Sequence, residues 1–120
     1  MAKILYAEDD NDLASLIIHF LTTQSHVVER VVSGLDALEH LEFENYDIAI
    51  LDNKLSDMDG IKVCETFRSK NGTTPIVLLT GSNDPGISEH GIKAGANKVF
   101  FKPAELVTIA ACIKELTAGK

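Results

Sequence analysis

The segment Ile48-Ala49-Ile50-Leu51-Asp52 places an aspartate directly after an apolar run, which is typical of a buried strand that ends at a charge. A similar run near the start of the chain, Ile4-Leu5-Tyr6-Ala7, leads into Glu8, Asp9 and Asp10. If both runs are parallel strands of one sheet, their carboxyl ends lie at the same edge. Carboxylates that close together repel one another unless a cation neutralises them, and their hard oxygens suit Mg²⁺. The two segments therefore predict an acidic, cation-holding crevice around Asp52.

Short apolar runs recur along the chain and are predicted to be strands: Lys3–Ala7, Val27–Val32, Asp47–Leu51, Pro75–Leu79 and Lys98–Phe101. Segments with helical periodicity separate them. Their apolar stripes are Leu13, Leu16, Ile17 and Phe20; Leu35, Leu38 and Leu41; Ile61, Cys64 and Phe67; and Leu106, Ile109, Ala110 and Ile113. Gly86–Ala94 contains two glycines, so we expect a short, weakly held fourth helix that is either poorly packed or mobile, and we favour mobility.

Strands that alternate with helices predict an α/β fold in which helices cover both faces of a parallel sheet. A chain of 120 residues fits one domain over 1–120. Right-handed crossovers then leave few arrangements, and the flavodoxin-like order 2-1-3-4-5 fits best. In that order the functional crevice lies between the ends of the first and third strands, where the carboxylates are.

Charge and hydropathy exclude several classes of protein. The formal net charge of −7 argues against direct nucleic-acid binding, because phosphate contacts require clustered lysine and arginine. No apolar run approaches the roughly 18–20 residues of a membrane span, and no signal peptide follows Met1, so we expect a cytoplasmic protein without membrane contact. Met1-Ala2-Lys3 suggests a natural start, whereas Ala118-Gly119-Lys120 leaves the far end undecided.

The cysteines and histidines show no metal-ligand spacing. Cys64 and Cys112 are predicted to be buried, reduced thiols, because they lie far apart in helical segments. The histidines are predicted to be scattered surface or half-buried residues: His19, His26, His40 and His90.

Polar side chains also follow the last two predicted strands. Thr80-Gly81-Ser82 follows the fourth strand and Lys102-Pro103 follows the fifth. One crevice therefore collects carboxylates, a hydroxyl group and an ammonium group. Phosphoryl transfer to an aspartate requires this set: a carboxylate nucleophile, a divalent cation, and a lysine that offsets charge on the phosphoryl oxygens.

In these features the whole chain resembles a response-regulator receiver domain, the CheY-like module of two-component signalling. No single motif is specific, but their order and spacing together are. The matching elements are the acidic pair Glu8-Asp9, the phospho-acceptor Asp52, Asp59-Gly60, the switch residue Thr80, the turn Ala94-Gly95-Ala96-Asn97, and Lys102-Pro103.

The resemblance implies a phosphorylation-dependent switch in which Asp52 accepts a phosphoryl group from a histidine kinase or phosphotransfer protein. Asp9 would ligate Mg²⁺ (or Mn²⁺) directly, with Glu8 near it or acting through water. Asp52 and the backbone carbonyl of Lys54 would be further ligands. Asp10 is either near the metal or a cap of the first helix.

The resemblance also implies that Thr80 and Lys102 contact the phosphoryl group and that the Lys102–Pro103 bond is cis. Such a domain is not an enzyme beyond promoting its own phosphorylation and dephosphorylation. It would signal by changing how it binds a downstream protein target or an output domain, either alone or as part of a larger regulator or hybrid kinase.

Three positions depart from the family pattern. Val99 stands where an aromatic residue is common, and Ser56 stands where a proline is common, which predicts a looser loop over Asn53–Asp59. Lys54 lies two residues after Asp52, and its side chain either is solvated or pairs with the phosphoryl group and slows attack by water.

Other classes of function remain open from the sequence. A degenerate receiver that acts as a constitutive interaction module is the main alternative. A flavodoxin-type binder is disfavoured because Glu8-Asp9-Asp10 would repel phosphate. A hydrolase with an aspartate nucleophile is disfavoured because 120 residues leave no cap domain to enclose a substrate.

Overall fold

Strands and helices alternate along the computed structural model, which describes residues 1–81, 86–103 and 106–118. The strands are β1 (Lys3–Ala7), β2 (Val27–Val31), β3 (Ile48–Asp52), β4 (Ile76–Thr80) and β5 (Lys98–Phe101). The helices are α1 (Asn11–Thr23), α2 (Gly34–Phe43), α3 (Gly60–Ser69), α4 (Gly86–Lys93) and α5 (Leu106–Leu116). Within the described part of the chain, no helix is long and apolar enough to cross a membrane.

All five strands are parallel and lie in the order β2-β1-β3-β4-β5, which confirms the predicted fold class. Two strands end one residue later than predicted because the hydrogen-bonded ladder continues. The N–H of Asn53 donates to the carbonyl of Leu79 at 2.8 Å, and that of Lys102 donates to Thr80 at 2.7 Å. Asp52 and Thr80 are therefore the last residues of their strands rather than the first residues of loops.

Helices cover both faces of the sheet. One face packs against α1 and α5, and the other packs against α2, α3 and α4. The three central strands, β1, β3 and β4, are almost entirely buried, as their continuous apolar sequences indicated. Cys64 and Cys112 are free and buried, as predicted.

Two predicted stripe residues do not reach the core. Leu16 is 55% exposed and Leu35 is 57% exposed, because α1 and α2 present other residues to the sheet. In α1 the buried positions are Ala14, Ile17 and Leu21, and in α2 they are Gly34, Ala37 and Leu41.

Gly91 of α4 packs directly against Val99 of β5. A Cβ atom on Gly91 would lie 2.8 Å from Cγ2 of Val99 and 3.0 Å from Cδ1 of Leu78. Val99 pairs with Leu78 across β4 and β5 and faces the α4 side of the sheet. In this chain the small pair therefore allows α4 to approach closely, so the glycine serves packing, which the sequence alone did not indicate.

The amino end of α2 is capped by two side chains. The Ser33 hydroxyl accepts a hydrogen bond from the N–H of Asp36 at 3.1 Å. The Asp57 carboxylate, from the loop after β3, accepts from Gly34 at 2.7 Å and from Leu35 at 2.9 Å. These backbone N–H donors, that of Gly34 first, hold the pKa of Asp57 below its usual value.

Replacement of Asp57 by alanine is expected to destabilise the fold in a pH-dependent way. The folded-state pKa is lowered, so the stabilisation is present above the unfolded-state pKa and is lost as the pH falls through the folded-state pKa. At neutral pH the loss of a cap costs about 1 kcal/mol. Urea unfolding of wild type and Asp57→Ala across acidic to neutral pH measures this difference, which is expected to shrink at low pH.

Ser56→Ala is the matched control, because Ser56 is the exposed neighbour in the same loop. If the difference in the free energy of unfolding between wild type and Asp57→Ala stays constant with pH, the charged carboxylate is not the cap.

Candidate functional site

Asp52 ends β3 at the carboxyl edge of the sheet with only 4% of its surface exposed. Its two carboxylate oxygens have different partners. Oδ2 lies 3.1 Å from Nζ of Lys102, and Oδ1 accepts the backbone N–H of Lys54 at 3.3 Å. The carboxylate is therefore held in a fixed orientation at the floor of the crevice.

Glu8 is fully buried directly after β1 and is the most heavily bonded group of the site. Its Oε1 lies 3.0 Å from Nζ of Lys102 and accepts from the Tyr6 hydroxyl at 3.4 Å. Its Oε2 accepts the backbone N–H of Asp10 at 3.3 Å. Burial raises the pKa of Glu8, and the neighbouring Asp52 raises it further, whereas Lys102 opposes this rise.

Lys102 follows β5 and places its ammonium group between the two buried carboxylates. Burial alone would lower the pKa of Lys102, but contact with Glu8 and Asp52 outweighs burial and raises it. The lysine is therefore held in its charged form. It offsets part of the repulsion between the carboxylates.

Asp9 completes a group of carboxylates suited to a divalent cation. One carboxylate oxygen from each of Glu8, Asp9 and Asp52 lies within 4.8 Å of the others. Asp9 is exposed, unlike the two buried members of the group. Lys102 contacts two of these carboxylates, those of Glu8 and Asp52. Three grouped carboxylates fit Mg²⁺, which prefers oxygen ligands and keeps several waters.

Thr80 lies at the end of β4 with 3% of its surface exposed. A cavity of about 460 Å³ adjoins it, lined by Asn53, Lys54, Asp59, Thr80, Gly81 and Ile87. The exposed Lys54 and the buried Thr80 thus border the same space beside the crevice.

The structure brings Glu8, Asp9, Asp52 and Lys102 into direct proximity, as the sequence predicted. Asp10 instead caps α1, where its Oδ1 accepts the N–H groups of Asp12 and Leu13 at 3.0 and 3.1 Å. The Lys102–Pro103 bond is cis, as the resemblance implied. Ser82 lies outside the described residues.

Comparison with known proteins agrees with this geometry. The response regulator receiver domain profile matches residues 4–114, which is most of the chain. The chain belongs to the response regulator receiver domain family.

Curated relatives of this receiver are longer proteins. It is 35% identical to protein RcaC of Microchaete diplosiphon, over 95% of this chain and 18% of that protein. It is 30% identical to response regulator RppA of Synechocystis, over 95% of this chain and 50% of that protein. The receiver therefore spans half or less of the length of these relatives.

A solved structure has the same fold. The signal receiver domain of a signal transduction histidine kinase from Syntrophus aciditrophicus superimposes with a TM-score of 0.90 at 29% identity. The match covers 99% of this chain and 92% of that one. Receiver relatives thus include both response regulators and a histidine kinase by name.

Two residues of the receiver crevice were missed from the sequence. Tyr6 is fully buried and contacts Glu8 through its hydroxyl group, and Arg30 of β2 contacts the Glu8 carbonyl. Strand alternation was a usable signal for Tyr6, because residues two apart share a face of a strand. Burial, followed by the contact with Glu8, raises the pKa of Tyr6, so its hydroxyl stays protonated and donates.

The loop after β3 is held in place without the usual proline. Lys54 and Asp59 form an antiparallel bridge, and the side chain of Asn53 accepts the N–H of Ile61 at 3.0 Å. The backbone N–H of Gly60 donates to the carbonyl of Asn53 at 2.8 Å, and Leu55 is buried. These contacts hold the loop to the start of α3, and the looser loop expected from Ser56 stays a prediction.

A second group of possible metal ligands lies away from the crevice, on β2, on α2 and at the residue that follows α2. Glu29, His40 and Glu44 place ligand atoms within 4.8 Å of one another. The Lys3 ammonium lies 3.7 Å from Glu29 and 3.5 Å from Glu44, and the Tyr46 hydroxyl donates to both carboxylates. This group is an ion-pair network that already contains its own cation.

Gly60 is expected to tolerate no side chain, because α3 begins directly against the end of β3. A Cβ atom there would lie 2.6 Å from the backbone oxygen of Asp52 and 3.1 Å from Cα of Asn53. Gly60→Ala is therefore expected to lower the free energy of unfolding by about 1–3 kcal/mol, as overpacking does. Urea denaturation measures the loss.

Gly81→Ala is the matched control, because a Cβ atom at Gly81 meets nothing within 4 Å. Equal stability of wild type and Gly60→Ala would contradict the close approach of α3 to β3.

Proposed function

We propose that this receiver is a phosphorylation-dependent signalling switch that accepts a phosphoryl group on Asp52 in a Mg²⁺-dependent reaction. One observation carries the proposal. A buried aspartate at a sheet edge lies 3.1 Å from a lysine ammonium, with two further carboxylates grouped beside it. This arrangement offers a nucleophile, a positive charge and a cation site within one crevice.

The Asp52 carboxylate would act as the nucleophile. One of its oxygens attacks the phosphorus of the donor, the bond from phosphorus to the donor breaks, and the donor leaves with the electron pair. The N–H of Lys54 already orients one carboxylate oxygen at 3.3 Å. The pocket therefore places the nucleophile before the donor arrives, which lowers the entropic part of the barrier.

Lys102 would neutralise the phosphoryl oxygens once the group is transferred. Its ammonium group contacts both Glu8 and Asp52. It can therefore exchange its contact with Asp52 for a contact with the phosphoryl group while it keeps its contact with Glu8. The Thr80 hydroxyl would donate a hydrogen bond to the phosphoryl group. Such a bond would draw the end of β4 toward the crevice.

Asp9, Glu8 and Asp52 would hold Mg²⁺ (or Mn²⁺) together with the backbone carbonyl of Lys54. When bound, the cation supplies positive charge that stabilises the transferring phosphoryl group. Asp9 is the exposed member, so it can reorient toward a cation more freely than the buried Glu8, which already has three partners.

The phosphoryl donor would be a histidine kinase or a phosphotransfer protein, and the signal would pass to a downstream protein target or an output domain. The names of the relatives and the greater length of RcaC and RppA support this assignment. The receiver would act in the cytoplasm without direct nucleic-acid or membrane binding. It would not be an enzyme, beyond promoting its own phosphorylation and dephosphorylation.

Phosphorylation is expected to give a single adduct by intact mass after incubation with acetyl phosphate and Mg²⁺, or with a phosphorylated donor protein. Asp52→Asn is expected to abolish the adduct, and chelation of Mg²⁺ to suppress it. Asp36→Asn is the matched control, because Asp36 is an exposed aspartate on α2, away from the crevice.

An adduct that persists in Asp52→Asn would show that another residue is the acceptor. If wild type forms no adduct with any donor, the chain is instead a degenerate receiver that acts as a constitutive interaction module.

Lys54→Ala is expected to shorten the lifetime of the phosphorylated state. Lys54 lines the cavity beside the crevice, so its ammonium group can pair with the phosphoryl group and obstruct water. An exposed ion pair is worth about 0.5–1 kcal/mol, which corresponds to a half-life about two- to fivefold shorter. The decay of the adduct by mass measures it.

Lys62→Ala is the matched control, because Lys62 is an exposed lysine on α3. An unchanged half-life in Lys54→Ala would leave Lys54 as a solvated lysine with no role in the lifetime.

A further inference from the structure

Tyr6 and Arg30 both contact Glu8, one at its side-chain carboxylate and the other at its backbone carbonyl. Both side chains lie on the face of the sheet that α1 and α5 cover. Tyr6 and Arg30 are direct partners across β1 and β2. The Tyr6 hydroxyl contacts the carboxylate of Glu8 at 3.4 Å. Arg30 contacts the backbone carbonyl of Glu8 instead, at 3.0 Å from Nε and 2.7 Å from Nη2.

Arg30 contacts the Glu8 carbonyl just beyond the point where the hydrogen bonds between β1 and β2 end. The N–H of Glu8 donates to the carbonyl of Val31, at 3.1 Å, and Val31 is the last residue of β2. The chain then turns into Ser33, which caps α2, so the strand does not continue alongside the carbonyl of Glu8. Arg30 supplies two donors to that carbonyl.

A planar guanidinium that donates twice to one oxygen fixes its direction more firmly than a single flexible donor does. The carbonyl of Glu8 belongs to the peptide unit that joins Glu8 to Asp9. Fixing that unit sets the direction in which the chain enters Asp9, the exposed carboxylate of the cation group. The contact of Arg30 therefore acts on a candidate metal ligand through the backbone.

We propose that Arg30 is a positioning residue for the cation site: its bidentate contact with the Glu8 carbonyl presents Asp9 to the metal. This inference rests on the proposed function, because it assumes that the carboxylate group binds a divalent cation. Arg30 itself contacts backbone rather than metal or phosphoryl group, so its role is indirect.

A positioning role for Arg30 and a simple effect of its charge predict opposite changes in cation affinity when Arg30 is replaced. Loss of a positive charge near three carboxylates would strengthen binding of a cation, because it removes electrostatic repulsion. Loss of the backbone contact would weaken binding, since the ligands are no longer preorganised. Residues that orient metal ligands typically change affinity by 10–100-fold, and we expect about tenfold weaker binding in Arg30→Met.

The experiment measures the affinity for Mn²⁺ from the electron paramagnetic resonance signal of the free ion, on the full chain without phosphoryl donor. Arg30→Met is expected to bind about tenfold more weakly than wild type. Arg30→Lys keeps the positive charge but has no planar guanidinium group to donate twice to the carbonyl. Its Mn²⁺ affinity is therefore expected to be almost as weak as that of Arg30→Met. It also serves as the second variant if Arg30→Met does not fold.

Arg68→Met is the matched control. Arg68 also donates from its guanidinium to backbone carbonyls, those of Gly95, Gly72 and Thr74, but away from the crevice. This variant is expected to lose stability and to keep the Mn²⁺ affinity of wild type.

Affinity in Arg30→Met equal to or tighter than that of wild type would overturn the positioning role while leaving the proposed function intact. Equal weakening in Arg68→Met would also overturn it, because the effect would then be general destabilisation. If wild type takes up no Mn²⁺, the proposed function itself fails, and the role of Arg30 falls with it.

Discussion

The crevice depends on the contact between the Lys102 ammonium group and the carboxylates of Glu8 and Asp52. The ammonium group lies 3.0 Å from Glu8 and 3.1 Å from Asp52, and both carboxylates are buried. Buried charges of like sign are costly unless they are paired, so the ammonium group between the two acids offsets the cost of placing them this close. The pairing joins residues 94 positions apart in sequence, and it therefore requires that the whole fold be in place.

The sheet order provides that arrangement, and most of it could be predicted from the sequence. Continuous apolar runs without alternation indicated strands buried on both faces, and β1, β3 and β4 have that environment. Because each polar cluster directly follows a run, parallel topology alone brings Glu8, Asp52 and Lys102 to one edge. Strand ends differed by a residue at Asp52 and Thr80, since local sequence does not show where a ladder stops pairing.

Contacts set by the tertiary arrangement of single side chains could not be predicted. The exposure of Leu16 and Leu35 depends on which face of each helix approaches the sheet, and periodicity is compatible with neighbouring faces. The cap from Asp57 to α2 and the contact from Arg30 to Glu8 join separate elements through backbone groups. Such backbone contacts carry no residue-type signature, so the sequence contained no sign of either partner.

We propose that Asp52, rather than its acidic neighbours, receives the phosphoryl group. An aspartyl phosphate is an acyl phosphate, and borohydride reduces it to homoserine at the modified position. Peptide mapping of the phosphorylated and reduced chain therefore locates the acceptor directly. We predict homoserine at position 52. Homoserine at position 9 or 10, or at another aspartate, with Asp52 unmodified, would contradict the assignment of Asp52 as the acceptor.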